Sequence, residues 1–351
     1  MNLAGRRTAV LKPNIVAGRP ARTGVVTHPA VVEGVVRVLR AAGVSDVSIV
    51  EGPGVGLDAE AVFARSGYTA LARRLGTRLV SLNDAARRDR PWKYGTIGIP
   101  CIVEDADLYV NLPKLKTHGY TTLTLSIKNH KGLLSEADKK RDHHLGLHDP
   151  LVQHAKLAPP HLVVLDGIVA VEGDGPQHGR PVCAGILAAG TNMLEVDAAV
   201  ARLCGFDPRQ IAHLRIAEAE GLGTLDPAIV GSAPRRRLKP ANEQYGRLMN
   251  IYSWRDCTAC SMCIDSFAAG VHLAARDPRY WFTLVPRLAY WGLLGRMHVV
   301  QGRKAAVPEG RGRVVCLGQC TQSLADAKGL LHVPGCPPSA RDVAEAFRKG
   351  L

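Results

Sequence analysis

The chain has 351 residues, 46% of them apolar and 22% charged, which supplies a sizeable core and argues against disorder. Its formal charge of +14 favours anionic partners: nucleic acid, acidic lipid, or phosphorylated and carboxylated metabolites. No run of 18 uncharged apolar residues occurs, and Arg6–Arg7 is followed by a segment too short and too soon polar for a secretory signal, so a cytoplasmic chain without a transmembrane helix is expected.

Thr8 to Val16 (TAVLKPNIV) reads as a buried strand. His28 to Val44 has apolar residues at helical spacing and closes on Gly43, a good C-cap. Asp46 to Gly52 is a second strand, and the following GPGVG lacks the spacing of a dinucleotide fingerprint. AEAVFARSGYTALARRLG predicts a helix broken at Gly67, and TRLVSLND a strand. Further strands fall at Ala106 to Pro113, His161 to Gly167 and Cys183 to Gly190, with helices in MLEVDAAVARLCG and IAHLRIAEAEGLG. This rhythm implies an α/β fold, a mostly parallel sheet with crossover helices, over residues 1–230. Ser232 to Gln244 carries proline and charge without periodicity, so 231–248 reads as a linker and 249–351 as a smaller cysteine-rich region. Within the latter, Tyr280 to Val300 is apolar but interrupted by Pro286, Arg287 and Arg296, and reads as buried or interfacial, leaving peripheral membrane contact open.

The segment NLPKLKTHGYTTLTLSIKNHKG, Asn111 to Gly132, holds four lysines, two histidines and no carboxylate. TTLTLSIKN alternates like a strand, yet Leu123 and Ile127 lie four apart, and a helix from near Tyr120 is favoured. In open α/β sheets ligands bind beyond the C-terminal strand ends. Lys12 and Asn14, Glu51, then Asn111, Lys114, Lys116 and His118, then Asp166, and Glu172 with Asp174, all follow or end such strands. Crowded lysines call for a shared anion, so Lys114, Lys116 and Lys128 are expected to clamp a phosphate or carboxylate, and one with a depressed pKa would serve as base or nucleophile. Removing any of the three is expected to weaken anion binding while sparing folding. Asn111 and Asn129 would add uncharged hydrogen bonds; Glu51, Asp166 and Glu172 would move protons or hold a divalent cation. The competing reading is a solvated basic face. His144 and His148 lie four apart, as on a zinc-binding helix face, but Gly146 and Pro150 argue against a regular helix there.

Nine cysteines are present. Cys101, Cys183 and Cys204 stand alone and are expected to be small buried apolar residues. Cys257, Cys260 and Cys263 form C-x-x-C-x-x-C, the start of a [4Fe–4S] ferredoxin pattern. The usual nearby fourth cysteine is replaced by Phe267, and the Cys–Pro pair stands far downstream as Cys336–Pro337, so Cys336 is expected to complete the site ahead of Cys316. Structural zinc is the alternative.

The tail pieces around Cys320 (G-x-C) and Cys336 (GCPP) resemble those of hydrogenase small subunits and the related cluster-binding subunit of respiratory NADH dehydrogenase, a resemblance that makes Cys320 a competitor of Cys336. Together LKPNIV, EGPGVG, NLPKLKTHGYTTLTLSIKNHKGLL, LDGIVAVEGDGPQHGRPV and EVDAAVARLCGFDP resemble the family called domain of unknown function 362, over roughly residues 8–225. That resemblance implies an architecture, site residues at the lysine motif and an accompanying ferredoxin-type segment. The expected function is an iron–sulfur oxidoreductase or redox-assisted enzyme acting on a small anionic substrate, with an electron-donor protein as partner. The alternatives are a non-redox ligase or transferase with a structural cluster, and a basic nucleic-acid-binding protein, against which an aromatic content of only 5% weighs.

Overall fold

The computed structural model describes residues 3–177, 179–241, 251–255, 259, 261–293, 296–309 and 312–349. They form two compact units, Met1–Asp142 with His148–Pro240, and His143–Leu147 with Ala241–Leu351. The first unit runs β1 (Thr8–Pro13), α1 (Pro29–Ala41), β2 (Asp46–Glu51), α2 (Ala59–Arg65), α3 (Tyr68–Leu75) and β3 (Arg78–Ser81). A hairpin of β4 (Arg87–Trp92) and β5 (Gly95–Pro100) leads through α4 (Cys101–Glu104) to β6 (Leu108–Leu112). Then come β7 (Lys114–His118), β8 (Thr122–Thr124), α5 (Ser126–Asn129), α6 (Glu136–Leu145), α7 (His148–Leu157), β9 (Leu162–Glu172), β10 (Arg180–Gly190), α8 (Met193–Leu203) and α9 (Ala212–Ala219).

Among the described residues, eight strands of this unit make one sheet, in which β3, β2, β1, β6 and β9 lie side by side and parallel. The mostly parallel α/β architecture read from the sequence is the observed one. β6 and β7 are one extended run interrupted at Pro113, and both pair parallel with β9. Proline brings no N–H to the ladder. Its carbonyl accepts from the Asp166 amide at 2.9 Å, and the register shifts between Lys114 and Lys116. β8 and β10 return antiparallel on β7 and β9.

β1 is covered on both faces. Leu11 packs with Val32, Val36, Phe63 and Tyr68; Val10 packs with Ile97, Ile99, Tyr109 and Leu133. Two-sided burial explains why TAVL is a continuous apolar run and not an alternation. α1 begins with Pro29 after His28, whose Nδ1 accepts from the Ala30 amide at 3.1 Å, and its buried stripe is Val32, Val36 and Leu39.

Two expectations are corrected, on the Tyr120 helix and on the lone cysteines, and the expected break between His144 and His148 is observed. TTLTLSIKN is not a helix from Tyr120: Thr122–Thr124 pairs with β7 as β8, and only Ser126–Asn129 is helical. The strand alternation prevails because β7 offers a pairing edge there. Glu136 to Leu157 is two helices, with α6 ending at Leu145 and α7 starting at His148, which places His144 and His148 on different helices. Gly146, at φ +89°, makes the break, and Pro150 falls in the first turn of α7, where its missing N–H is harmless. Cys183 is exposed and Cys101 partly so; only Cys204 is buried. Cys183 lies on the outward face of β10, whose residues alternate buried and exposed.

The second unit has four parallel strands in chain order, β11 (Ile251–Arg255), β12 (Met297–Gln301), β13 (Arg313–Leu317) and β14 (Leu331–Val333). Helices Ser261–Arg276, Trp281–Leu293, Gln322–Lys328 and Ala340–Lys349 accompany them. Gly270 lets the first helix meet the last, since a Cβ there would lie 2.4 Å from that of Val343. Tyr280 to Val300 thus divides into a helix and the buried strand β12. No helix among the described residues is long and apolar enough to cross a membrane.

Candidate functional site

The strand ends of the first unit meet in a buried polar network. Lys12, at the end of β1, contacts both oxygens of Glu51 at the end of β2, at 3.1 and 3.2 Å. Glu51 also accepts the amides of Ile15 at 2.9 Å and Gly52 at 2.8 Å. Lys114, the first residue of β7, donates to Asp166 of β9 at 2.6 Å, and Asp166 accepts the amides of His28 at 2.7 Å and Ile168 at 3.1 Å. Between the two ion pairs stands Lys116, which donates to Asn14 Oδ1 at 2.7 Å and the Val25 carbonyl at 2.9 Å. Asn14 Nδ2 donates to Asn129 Oδ1 at 2.9 Å, and Asn129 Nδ2 donates to Asn111 Oδ1 at 2.7 Å. Lys12, Asn14, Glu51, Asn111, Lys114, Lys116, Asn129 and Asp166 are all buried. Carboxylates from other strands neutralise Lys114 of the lysine segment and Lys12 of β1.

Lys116 is the exception. Burial, followed by the charges of Lys114 and Lys12, lowers its pKa to about 7. Lys12 and Lys114 are lowered chiefly by burial, opposed by their carboxylates. A fourth buried lysine, Lys139 of α6, donates to the carbonyls of Gly52 and Pro53 at 3.0 and 2.8 Å and to Asn83 Oδ1 at 2.9 Å, and burial lowers it to about 8. Gly132 packs directly on the first ion pair: a Cβ there would fall 1.9 Å from Glu51 Oε1 and 2.6 Å from Lys12 Nζ. The glycine of NHKG is therefore a close-approach requirement.

Other expected site residues lie elsewhere. His118 is buried, and its Nδ1 accepts the amides of Tyr120 and Thr121 at 3.0 and 3.3 Å, fixing the β7–β8 turn. In that turn Thr122 is the one described non-glycine residue at positive φ, +63°. Lys128 is half-buried, and its charge acts on His148 and His213. Glu172 binds the Arg180 guanidinium and the Lys239 amide, at the far end of β9. Asp174 is partly buried in the loop beyond.

Sequence reasoning missed Lys139, Asp197 and His213. Asp197 accepts the amides of Ser126 and Ile127 at 2.7 and 3.0 Å, pinning the start of α5, and burial raises its pKa to about 7. A signal existed: Met193, Val196, Asp197, Val200 and Ala201 occupy one buried helical face, and a carboxylate in that stripe needs a partner. Lys139, inside EADKKRDHH, carries no such mark.

Of the cysteines, Cys257 and Cys260 lie outside the described residues. Cys263 is buried in the first turn of helix Ser261–Arg276 and its sulfur abuts Gly318, where a Cβ would lie 2.8 Å away. Gly318 precedes the turn bearing Cys320, and the Gln319 amide donates to the Gly335 carbonyl at 2.8 Å, beside Cys336. Cys316 is instead buried against Val300 and Ala325, where burial raises its thiol pKa. Among the described residues no group of three or more His, Cys, Asp or Glu side chains is arranged to hold a metal ion.

A family model described as domain of unknown function (DUF362) matches residues 9–202, the segment that builds this network. The chain belongs to the DUF362 family. The thylakoid-associated protein sll1697 of Synechocystis sp. is 32% identical over 220 residues, 61% of this chain and 68% of that protein. Among solved structures, the lactate racemase apoprotein from Thermoanaerobacterium thermosaccharolyticum is similar at a TM-score of 0.42 and 12% identity, covering 85% of this chain and 61% of that one. A protein from Thermotoga maritima is similar at a TM-score of 0.40 and 10% identity, covering 85% of this chain and 67% of that one. The chain therefore spans less than two thirds of the racemase.

Proposed function

We propose that this DUF362 chain is an iron–sulfur oxidoreductase or redox-assisted enzyme whose first unit binds a small phosphate or carboxylate substrate at the lysine network. The observation that carries the anion reading is Lys116, a buried amine between two ion pairs whose own acceptors, Asn14 Oδ1 and the Val25 carbonyl, are both neutral. An arriving anion would supply the charge partner these groups lack and draw a proton onto Lys116. Lys12, Lys114 and the asparagines Asn14, Asn111 and Asn129 would then orient it. The test is thermal stabilisation by inorganic phosphate and by malonate, on the wild type and on Lys116→Met. The variant is expected to lose about 1–3 kcal/mol of anion affinity, the range for a charge-assisted hydrogen bond. An equal response in both proteins removes the lysine network from the binding site.

The second unit is proposed to hold one [4Fe–4S] cluster, by Cys257, Cys260 and Cys263 with Cys320 or Cys336. The fit rests on the glycine-lined contact of Cys263 with Gly318, which brings the Cys320 turn and the Gly335–Cys336 loop to a motif cysteine distant in sequence. Such a cluster would supply single-electron transfer. A reductant titration separates this reading from a purely structural cluster, which would not cycle.

A second reading concerns location. Trp281, Phe282, Val285 and Tyr290 of helix Trp281–Leu293 are exposed, Phe282 by 91%, with exposed Arg276, Arg279 and Arg296 nearby in sequence. This pattern suits the interface of an anionic bilayer, and a relative is thylakoid-associated by name.

A further inference from the structure

A second polar cluster in the first unit takes no part in the lysine network. His213, the second residue of α9, is 1% exposed, and neither of its ring nitrogens has a hydrogen-bond partner in the structure. Its ring stacks on that of His148, the first residue of α7, with centroids 5.9 Å apart and planes 12° apart. His148 Nδ1 is buried and likewise unpartnered. On its other side Tyr120 lies against His148, with ring centroids 4.6 Å apart. Buried polar atoms are normally hydrogen-bonded, so three such nitrogens in one cluster require a reason.

We propose that His148, His213 and Lys128 form a binding site for a small oxyanion, a phosphate or a carboxylate. Four observations converge on that chemistry. Burial and then the surrounding charges lower His148 to about 4 and His213 to about 3, so both rings are neutral near pH 7 and each offers an N–H donor. The charged side chains acting on these rings are Lys128 and Arg215, both cations, which disfavours a metal ion and favours an anion. Each histidine sits in the first turn of its helix, where backbone N–H groups give a positive end. The N-cap of α9, Ile211, supplies no side-chain cap. His148, Tyr120 and Lys128 are only partly buried.

This inference does not depend on anion binding at the lysine network. The experiment is calorimetric titration of the whole protein with inorganic phosphate, and separately with malonate, at pH 7. His213→Phe keeps a planar aromatic ring and removes both nitrogens; Lys128→Met removes the charge. Each is expected to weaken the favoured anion by about tenfold or more. His213→Phe should fold at least as well as the wild type, because it buries no orphaned nitrogen, and His213→Leu serves as a second variant if the larger ring perturbs packing. Preference for phosphate over malonate, or the reverse, identifies the oxyanion. A wild type that binds neither, or histidine variants that bind as tightly as wild type, overturns the proposal. Lost stability with unchanged binding also overturns it, by showing the imidazole to be structural. Lys116→Met separates the two readings: weakening by His213→Phe alone supports this site and not the lysine network, and weakening by both variants supports one site with two walls.

Discussion

The buried lysines Lys12, Lys114 and Lys116 have different physical roles. Lys114 neutralises the buried Asp166, and Lys12 neutralises the buried Glu51. Removing one partner of a buried pair leaves a stranded charge. Lys114→Met is therefore expected to cost about 3–5 kcal/mol of stability in urea unfolding, contrary to the expectation that any lysine could be lost without harm. Lys116 behaves otherwise. Its pKa is lowered to about 7 in the folded chain, from an ordinary 10.5. Between those values the unfolded chain binds a proton that the folded chain does not, so stability attributable to this group rises with pH there, by at most about 1.4 kcal/mol per unit. Below pH 7 both states are protonated and the term is flat. Urea unfolding at pH 6 to 9 should thus show a steeper rise for wild type than for Lys116→Met; parallel curves would mean that Lys116 keeps its proton. Gly132→Ala tests the close approach. The methyl would displace the Lys12–Glu51 pair, and a loss of about 3 kcal/mol or more is expected. A loss under 1 kcal/mol would show that the loop can move aside.

At the scale of elements, the break at Pro113 decides the site. A regular strand would have continued the β6 ladder. The interruption instead lets β7 pair further along β9 with a register shift between Lys114 and Lys116. The chain then returns through β8 and α5, which brings Asn129 back to Asn14 and Asn111. Helical spacing of Leu123 and Ile127 could not reveal this, because β8 exists only through its pairing with β7. Helix Trp281–Leu293 presents the opposite situation, an element with large apolar side chains left exposed. If these dock on a bilayer, Phe282→Ser should reduce co-sedimentation with vesicles of anionic phospholipid several-fold, on the order of 1–2 kcal/mol for one buried aromatic. Equal sedimentation of the variant, or none by wild type, counts against membrane docking.

For the whole molecule, anaerobic preparation is expected to yield about four irons and four sulfides per chain, with visible absorption that bleaches on reduction. Cys260→Ser should abolish it. Cys316→Ser should retain the cluster, since Cys316 is buried against Val300 and Ala325; Cys320→Ser and Cys336→Ser decide which loop completes it. Stoichiometric zinc without a chromophore would falsify the cluster assignment. The sequence by itself determined the alternation of strand and helix, because the apolar periods of β1, α1, β2 and α8 report two-sided burial or one buried face directly. It also marked Lys12, Asn14, Glu51, Asn111, Lys114, Lys116 and Asp166 as strand-end polar residues, and Asn129 as an uncharged hydrogen-bonding residue, all of which the fold gathers into one network. What only tertiary structure decided was their pairing. Glu51 lies 39 positions from Lys12, and Asp166 lies 52 from Lys114. Coulomb energy depends on distance in space and on burial, not on separation along the chain. In the buried network, Lys12 and Lys114 are therefore neutralised by carboxylates, and Lys116 has only neutral acceptors. The same reason hid His213, an ordinary residue of a helix until α7 and the Lys128 charge are placed against it.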